Sequence, residues 1–241
     1  MENPKERIQI IDAVRGIAII LMVIHHFFYD LVYYLDAPPW LYENPVFNVL
    51  HYIFAGLFVF ISGISSRFSR GNIKRGFITL AFAMGITIVT YFMGTPVWFG
   101  ILHLLGLSML FFGLTKKIWD KIPRKLTLAL LIKLLLTVLV ALKAYKPQFE
   151  QIALINIISV LGWPQPGFIS YDYFPIFPWV IIFLFGTWAG IYIIEKKLPS
   201  WFYTMSLPFF PKVGRNSLLI YILHQPILYV FILVIGRFLP I

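Results

Sequence analysis

Asp12, Arg15, His25, His26 and Asp30 all lie on one otherwise apolar stretch between Ile8 and Leu35. Ionisable groups deep in a bilayer are costly, so where a chain keeps them they mark a site by default. A helix turns about 100° per residue, which puts Asp12, Arg15, His26 and Asp30 in a stripe roughly 60° wide and turns His25 about 100° away from His26. Arg15 and His26 are then about 16 Å apart along the axis, one near a membrane face and the other past the midplane. An imidazole, with an ordinary pKa of about 6.5, takes and returns a proton near neutral pH. Asp30, one helical turn beyond His26, is spaced to orient that ring, as the carboxylate of a hydrolase triad does. The stripe reads as a route through the membrane with acid–base chemistry at its far end.

Further polar residues fall at the same level. His51 begins the second apolar stretch, His103 lies in the fourth, Asp172 opens the sixth with Trp179 behind it, and His224 lies past the middle of the seventh. Ser217, Tyr221 and His224 share one face by i, i+4, i+7 spacing, and Pro226 beside them is a kink candidate. His51 and His103, taken singly, fit hydrogen-bonded packing as well as a site. Arg15 also fits a snorkelling anchor paired to Asp12. Lys133 sits mid-helix, where a charge costs roughly 3 kcal/mol, so a partner, neutrality or a bent bilayer is expected there. No His-x-x-x-His pair, acidic cluster or Gly-rich phosphate loop occurs, so no metal site and no P-loop are expected. The chain has no cysteine, which removes thiolate chemistry and disulfides.

The elements that position these groups follow from composition. With 241 residues, 60% hydrophobic, 12% charged and mean hydropathy +0.84, the chain lies outside the range of soluble domains. Seven stretches are long enough to cross about 30 Å of hydrocarbon as helices, near 10–35, 46–66, 77–95, 97–115, 126–142, 173–194 and 216–237. The fold class is therefore all-α: a polytopic membrane helical bundle of about seven spans forming a single domain over 1–241. The net charge of +10 is not read as nucleic-acid binding, because the cations sort by loop. Fifteen of the Lys and Arg residues precede the first stretch or follow the second, fourth and sixth; only Lys143, Lys146 and Arg237 lie opposite. The positive-inside rule then gives a cytoplasmic N-terminus, an exterior C-terminus and a cell-membrane location. The first stretch is too long and too charged for a signal-peptide core and is read as retained. In the long 143–172 connection, 152–161 is too short to span and is followed by Gly162, Pro164, Pro166 and Gly167, which suggests a re-entrant piece that roofs a site or packs on the rim.

Several blocks carry a family resemblance. The run from Asp12 through Arg15-Gly16 to His25-His26 resembles the opening of the heparan-alpha-glucosaminide N-acetyltransferase catalytic-domain family and, more loosely, of the acyltransferase-three family. Phe58 to Gly63, Phe99 to His103, Asp172 to Trp179 continuing to Gly186, and Gly214 to Pro226 agree in order. The resemblance implies a transmembrane acyltransferase that meets acyl-CoA, usually acetyl-CoA, on the cytoplasmic side and passes the acyl group to the amine or hydroxyl of a saccharide or glycan acceptor outside. The acyltransferase-three pattern puts ten residues between its Arg and its catalytic His, a spacing that Arg15 and His26 have and His25 lacks. One departure is that the segment 36–45, where the lysosomal enzyme of the first family is thought to carry its histidine, contains none here.

On this reading Arg15, with Asp12 and His103, serves the acyl-CoA. His26, Asp30, His224 and Tyr221 do the chemistry, and Asp172, His51 and Trp179 line the acceptor. Membrane lipids are partners, nucleic acid is not, and an oligomer stays open. The rival from another class is a proton-coupled transporter or flippase for a small solute or lipid-linked sugar, in which the same stripe relays protons. Against it, the chain shows no inverted repeat. A non-catalytic assembly partner would use Gly56, Gly63, Gly186 and Gly190 for helix packing but leaves the stripe unexplained.

Overall fold

A computed structural model describes residues 8–145 and 157–238. Its helices are α1 (Gln9–Tyr34), α2 (Pro45–Phe68), α3 (Asn72–Phe92), α4 (Ile101–Trp119), α5 (Arg124–Ala144), α6 (Ile157–Leu161), α7 (Ile176–Ile194), α8 (Ser200–Thr204), α9 (Phe210–Arg215) and α10 (Ser217–Gly236), with a 3-10 turn at Pro39–Leu41. No strand occurs among the described residues. Seven elements there are long and apolar enough to cross a membrane, so the all-helical, multi-pass class stands. The part of the expected re-entrant piece before residue 157 lies outside the described residues, as do Lys5, Arg7 and Lys146.

Two boundaries differ from the hydropathy reading. The third helix starts at Asn72 instead of 77, because Lys74 and Arg75 ride on its first turns, where long aliphatic stems let the charged heads reach water. It ends at Phe92, before Gly94, whose φ of +76° no continuing helix accepts. The fourth starts at Ile101 instead of 97. The backbone just before it is engaged elsewhere: Trp98 N–H donates to Ser170 Oγ (3.1 Å), and Phe174 N–H donates to the Phe99 carbonyl (2.9 Å). Asp172, expected to open the sixth helix, precedes α7 by four residues. Both α3 and α4 shift without changing the number of crossings.

The chain forms two compact units. In the first, residues 1–61 with 196–241, α1 packs on α9 and α10. Close approach of α1 and α9 depends on two glycines. A Cβ on Gly16 would lie 2.2 Å from the Phe210 carbonyl oxygen, and one on Gly214 would lie 1.8 Å from the Asp12 carbonyl oxygen. In the second unit, residues 62–195, α3 packs on α4, and α7 packs on α4, α5 and α6. Its centre is held by Leu104, Phe112, Leu131, Ile181 and Phe183, all buried. The last turns of α2 also lie on α7, where a Cβ on Gly63 would meet the Phe183 carbonyl oxygen at 2.0 Å.

Candidate functional site

Asp12, His26 and Asp30 of the predicted stripe on α1 each meet α9 or α10, and Arg15 pairs with Asp12. Asp12 Oδ1 accepts from Arg15 Nη1 (3.0 Å), and its Oδ2 lies 3.6 Å from Arg215 Nε on α9. One turn from the middle of α10, the His224 ring lies 4.9 Å from that of His26, centroid to centroid, at 59°. Near the end of α1, Asp30 is fully buried, and both its oxygens accept from Gln225 Nε2, at 2.9 and 3.1 Å. The stripe's periodicity thus corresponds to one physical wall, the side of α1 covered by α9 and α10.

His25 points elsewhere, as its angle on the helix requires. Its ring stacks on His51 of α2 (4.1 Å, 26°) and on Phe47 (5.2 Å, 12°), with Tyr42 at 5.0 Å. His26 and His25 rings meet only edge to face, at 5.9 Å. The expected Asp30–His26 contact is replaced by the Asp30–Gln225 pair: Asp30 fixes the α10 side of the site and has no bond to the imidazole.

His224 has a defined tautomer. Its Nδ1 lies 2.6 Å from the Tyr221 carbonyl oxygen, which only accepts, so Nδ1 carries the proton and Nε2 carries the lone pair in the neutral ring. That Nε2 is buried without a hydrogen-bond partner, and so are Gln225 Oε1 and His25 Nδ1. Buried polar atoms are paired as a rule, so the unpaired His224 Nε2 beside the His26 ring suits a polar ligand. The Tyr221 ring lies 5.5 Å from that of His224, as the shared helix face predicted. α10 runs as one helix through Pro226.

The second unit holds His103, Asp172 and Trp179, and there two of them have structural work. His103 Nδ1 accepts from Gly100 N–H (3.2 Å), so its Nε2 carries the proton toward Thr87 Oγ1 (3.3 Å), whose own hydroxyl donates to the Val97 carbonyl (2.6 Å). This ring closes the start of α4. Asp172 Oδ2 accepts from Ile101 N–H (3.4 Å) at the same helix start. Trp179 packs against Phe174, with ring centroids 5.1 Å apart. Next to them, Tyr173 donates its hydroxyl to the Ser159 carbonyl, and burial pushes its phenol well up. Lys133 is exposed on α5 among outward-facing leucines, in agreement with a snorkelling side chain.

Sequence reading placed Arg215 only among the cations that follow the sixth stretch and Gln225 only beside His224. Each acquires its partner from α1, at the other end of the chain, and no local pattern carries that information. No group of metal-binding side chains occurs among the described residues.

Seven apolar helices among the described residues, with a pair of imidazoles facing each other between α1 and α10, define an integral membrane protein that carries a polar site. The chain belongs to the family Heparan-alpha-glucosaminide N-acetyltransferase, catalytic, which it matches over residues 7–226. It is therefore a transmembrane protein of acetyltransferase type. Neither the curated proteins nor the solved structures provide a match.

Proposed function

We propose that this protein transfers an acetyl group from cytoplasmic acetyl-CoA to a sugar amine or hydroxyl on the exterior side of the cell membrane. The observation that carries the reading is the His26–His224 pair, with His224 Nδ1 held by a backbone carbonyl and its Nε2 buried and unpartnered. A ring anchored this way offers a basic atom of fixed direction. The acceptor nitrogen or oxygen attacks the thioester carbonyl carbon and gives its proton to one imidazole of the pair. The tetrahedral intermediate then breaks its C–S bond, and the leaving thiolate takes a proton back, so acetylated acceptor and CoA thiol are formed with no net proton change. Positioned acid–base groups contribute about 10²–10⁴-fold to such steps. Tyr221 is the candidate donor to the oxyanion; the neutral form of His224 cannot fill that role because its Nε2 only accepts. Arg15 and Asp12 lie at the end of the wall where the charge rule places the cytoplasm, suited to CoA phosphates.

The family name points to glucosamine as the first acceptor to try. Purified protein is incubated with labelled acetyl-CoA and glucosamine, and acetylated sugar and released thiol are measured together. Both products should appear, and His26→Ala and His224→Ala should each reduce them by about 10²-fold or more while leaving a folded protein. Solute movement across vesicles without acetylated product would replace this reading with the transporter.

A further inference from the structure

We propose that Arg215 is the second guanidinium of a phosphate-binding site braced by Asp12, and that this site holds the nucleotide diphosphate of acyl-CoA; the ligand's identity rests on the acetyltransferase reading above. Asp12 holds one guanidinium on each carboxylate oxygen, Arg15 at 3.0 Å and Arg215 at 3.6 Å. Because Arg215 faces the carboxylate through Nε, its two Nη groups carry no partner among the described residues and form a planar fork suited to paired phosphate oxygens. The Arg215 side chain is 41% exposed against 16% for Arg15, so the fork is reachable from outside the packed face. Lys212, one turn earlier on α9, is exposed as well and adds a third cation to this basic end of the unit.

The placement is built into the backbone. Arg215 reaches Asp12 only because Gly214 lets α9 rest on the Asp12 carbonyl, while Gly16 makes room for the Phe210 carbonyl from the other side. The carboxylate sits in the first turn of a 26-residue helix that has no side-chain N-cap, so the positive end of the helix dipole adds to the cationic side.

A second basic cluster shows what an anion site lacks. A cavity of about 400 Å³ in the unit spanning 62–195 is lined by Arg67, Lys116, Asp120, Arg124 and Glu195. There Arg67 pairs with Asp120, Arg124 pairs with Glu195, and Lys116 donates to the Arg67 carbonyl. Four helix ends reach it, the C-termini of α2, α4 and α7 and the N-terminus of α5. Two of its cations are committed to carboxylates and the third to a backbone carbonyl.

The test compares thioesters with and without the nucleotide. Binding of CoA, pantetheine and adenosine 3′-phosphate 5′-diphosphate to the purified full chain is measured by calorimetry, alongside KM for acetyl-CoA and acetyl-pantetheine. Arg215→Gln should weaken CoA and the nucleotide by about tenfold or more and leave pantetheine unchanged, with the rise in KM confined to acetyl-CoA. Arg215→Lys keeps the charge, loses the fork and should fall between, which also serves if the glutamine variant is poorly folded. Equal losses for CoA and pantetheine would reduce Arg215 to a packing role and overturn the proposal. So would wild-type protein that binds CoA no better than pantetheine. Wild-type protein that binds CoA through Arg215 yet transfers nothing would leave the phosphate site standing and remove the acetyltransferase reading instead.

Discussion

Asp30 and Gln225 set the hydrogen-bonding sense of the site one residue away from the imidazole. Both Asp30 oxygens accept from Gln225 Nε2, so the amide presents its donor to Asp30 and leaves Oε1 as a buried acceptor. Asp30→Leu removes that constraint and strands the amide donor, at a cost of about 1–3 kcal/mol. A matched Asp30→Leu/Gln225→Leu pair should recover most of the loss in a detergent melting experiment, because replacing both members leaves no buried polar group unpaired. Acetyl transfer should not recover with it. Recovery of both would mean that the pair serves stability alone. The separation of His25 from His26 was legible in the sequence because helical geometry fixes it locally. The surroundings of His103 and Asp172 were not: both types suit catalysis, and the start of α4 engages His103 Nδ1 and Asp172 Oδ2 as acceptors for backbone N–H groups. Residue type names what a side chain could do, and the competing backbone decides what it does.

At the scale of helices, the two α1–α9 glycines should be, with Gly63, among the least replaceable positions. Gly214→Ala drives a Cβ to 1.8 Å from backbone at Asp12, and neither partner has a flexible side chain that could yield. Separation of α9 from α1 should follow, seen as a fall in melting temperature together with weaker CoA binding, since Arg215 rides on the same helix. Gly85→Ala on α3 is the control, because a Cβ there meets nothing within 4 Å. Helix propensity alone favours alanine by about 1 kcal/mol, so this variant should melt at the same temperature or higher. Lys133 belongs to this scale too. It faces outward from α5, so Lys133→Leu should leave transfer unchanged, whereas loss of turnover would give that lysine a role in the site. Apolar length was enough to find these helices, but the ends of α3 and α4 were missed by several residues. Hydropathy does not register snorkelling cations at one end or a backbone strap at the other, and both are set by contacts beyond the helix itself.

For the whole molecule, the proposed direction of transfer depends on how the chain is threaded through the bilayer. The charge distribution predicts that direction: Arg67, Arg70, Lys74 and Arg75 cluster at the junction of α2 and α3, while the loop before α2 holds Asp36 and Glu43 and no cation. The rule that short loops rich in Lys and Arg stay inside predicts that the Asp12–Arg215 cluster faces the cytoplasm and the His25–His51 stack the exterior. Because the chain contains no cysteine, single cysteines can be introduced without background. Gly71, where an added Cβ meets nothing within 4 Å, and Trp40, which is 68% exposed, mark the two loops. In intact cells a membrane-impermeant maleimide should label Trp40→Cys and spare Gly71→Cys until the membrane is opened. The reverse pattern would put Arg15 and Arg215 outside, away from cytoplasmic acetyl-CoA. Transfer would then have to run in the opposite direction, even with every contact at the imidazole pair unchanged.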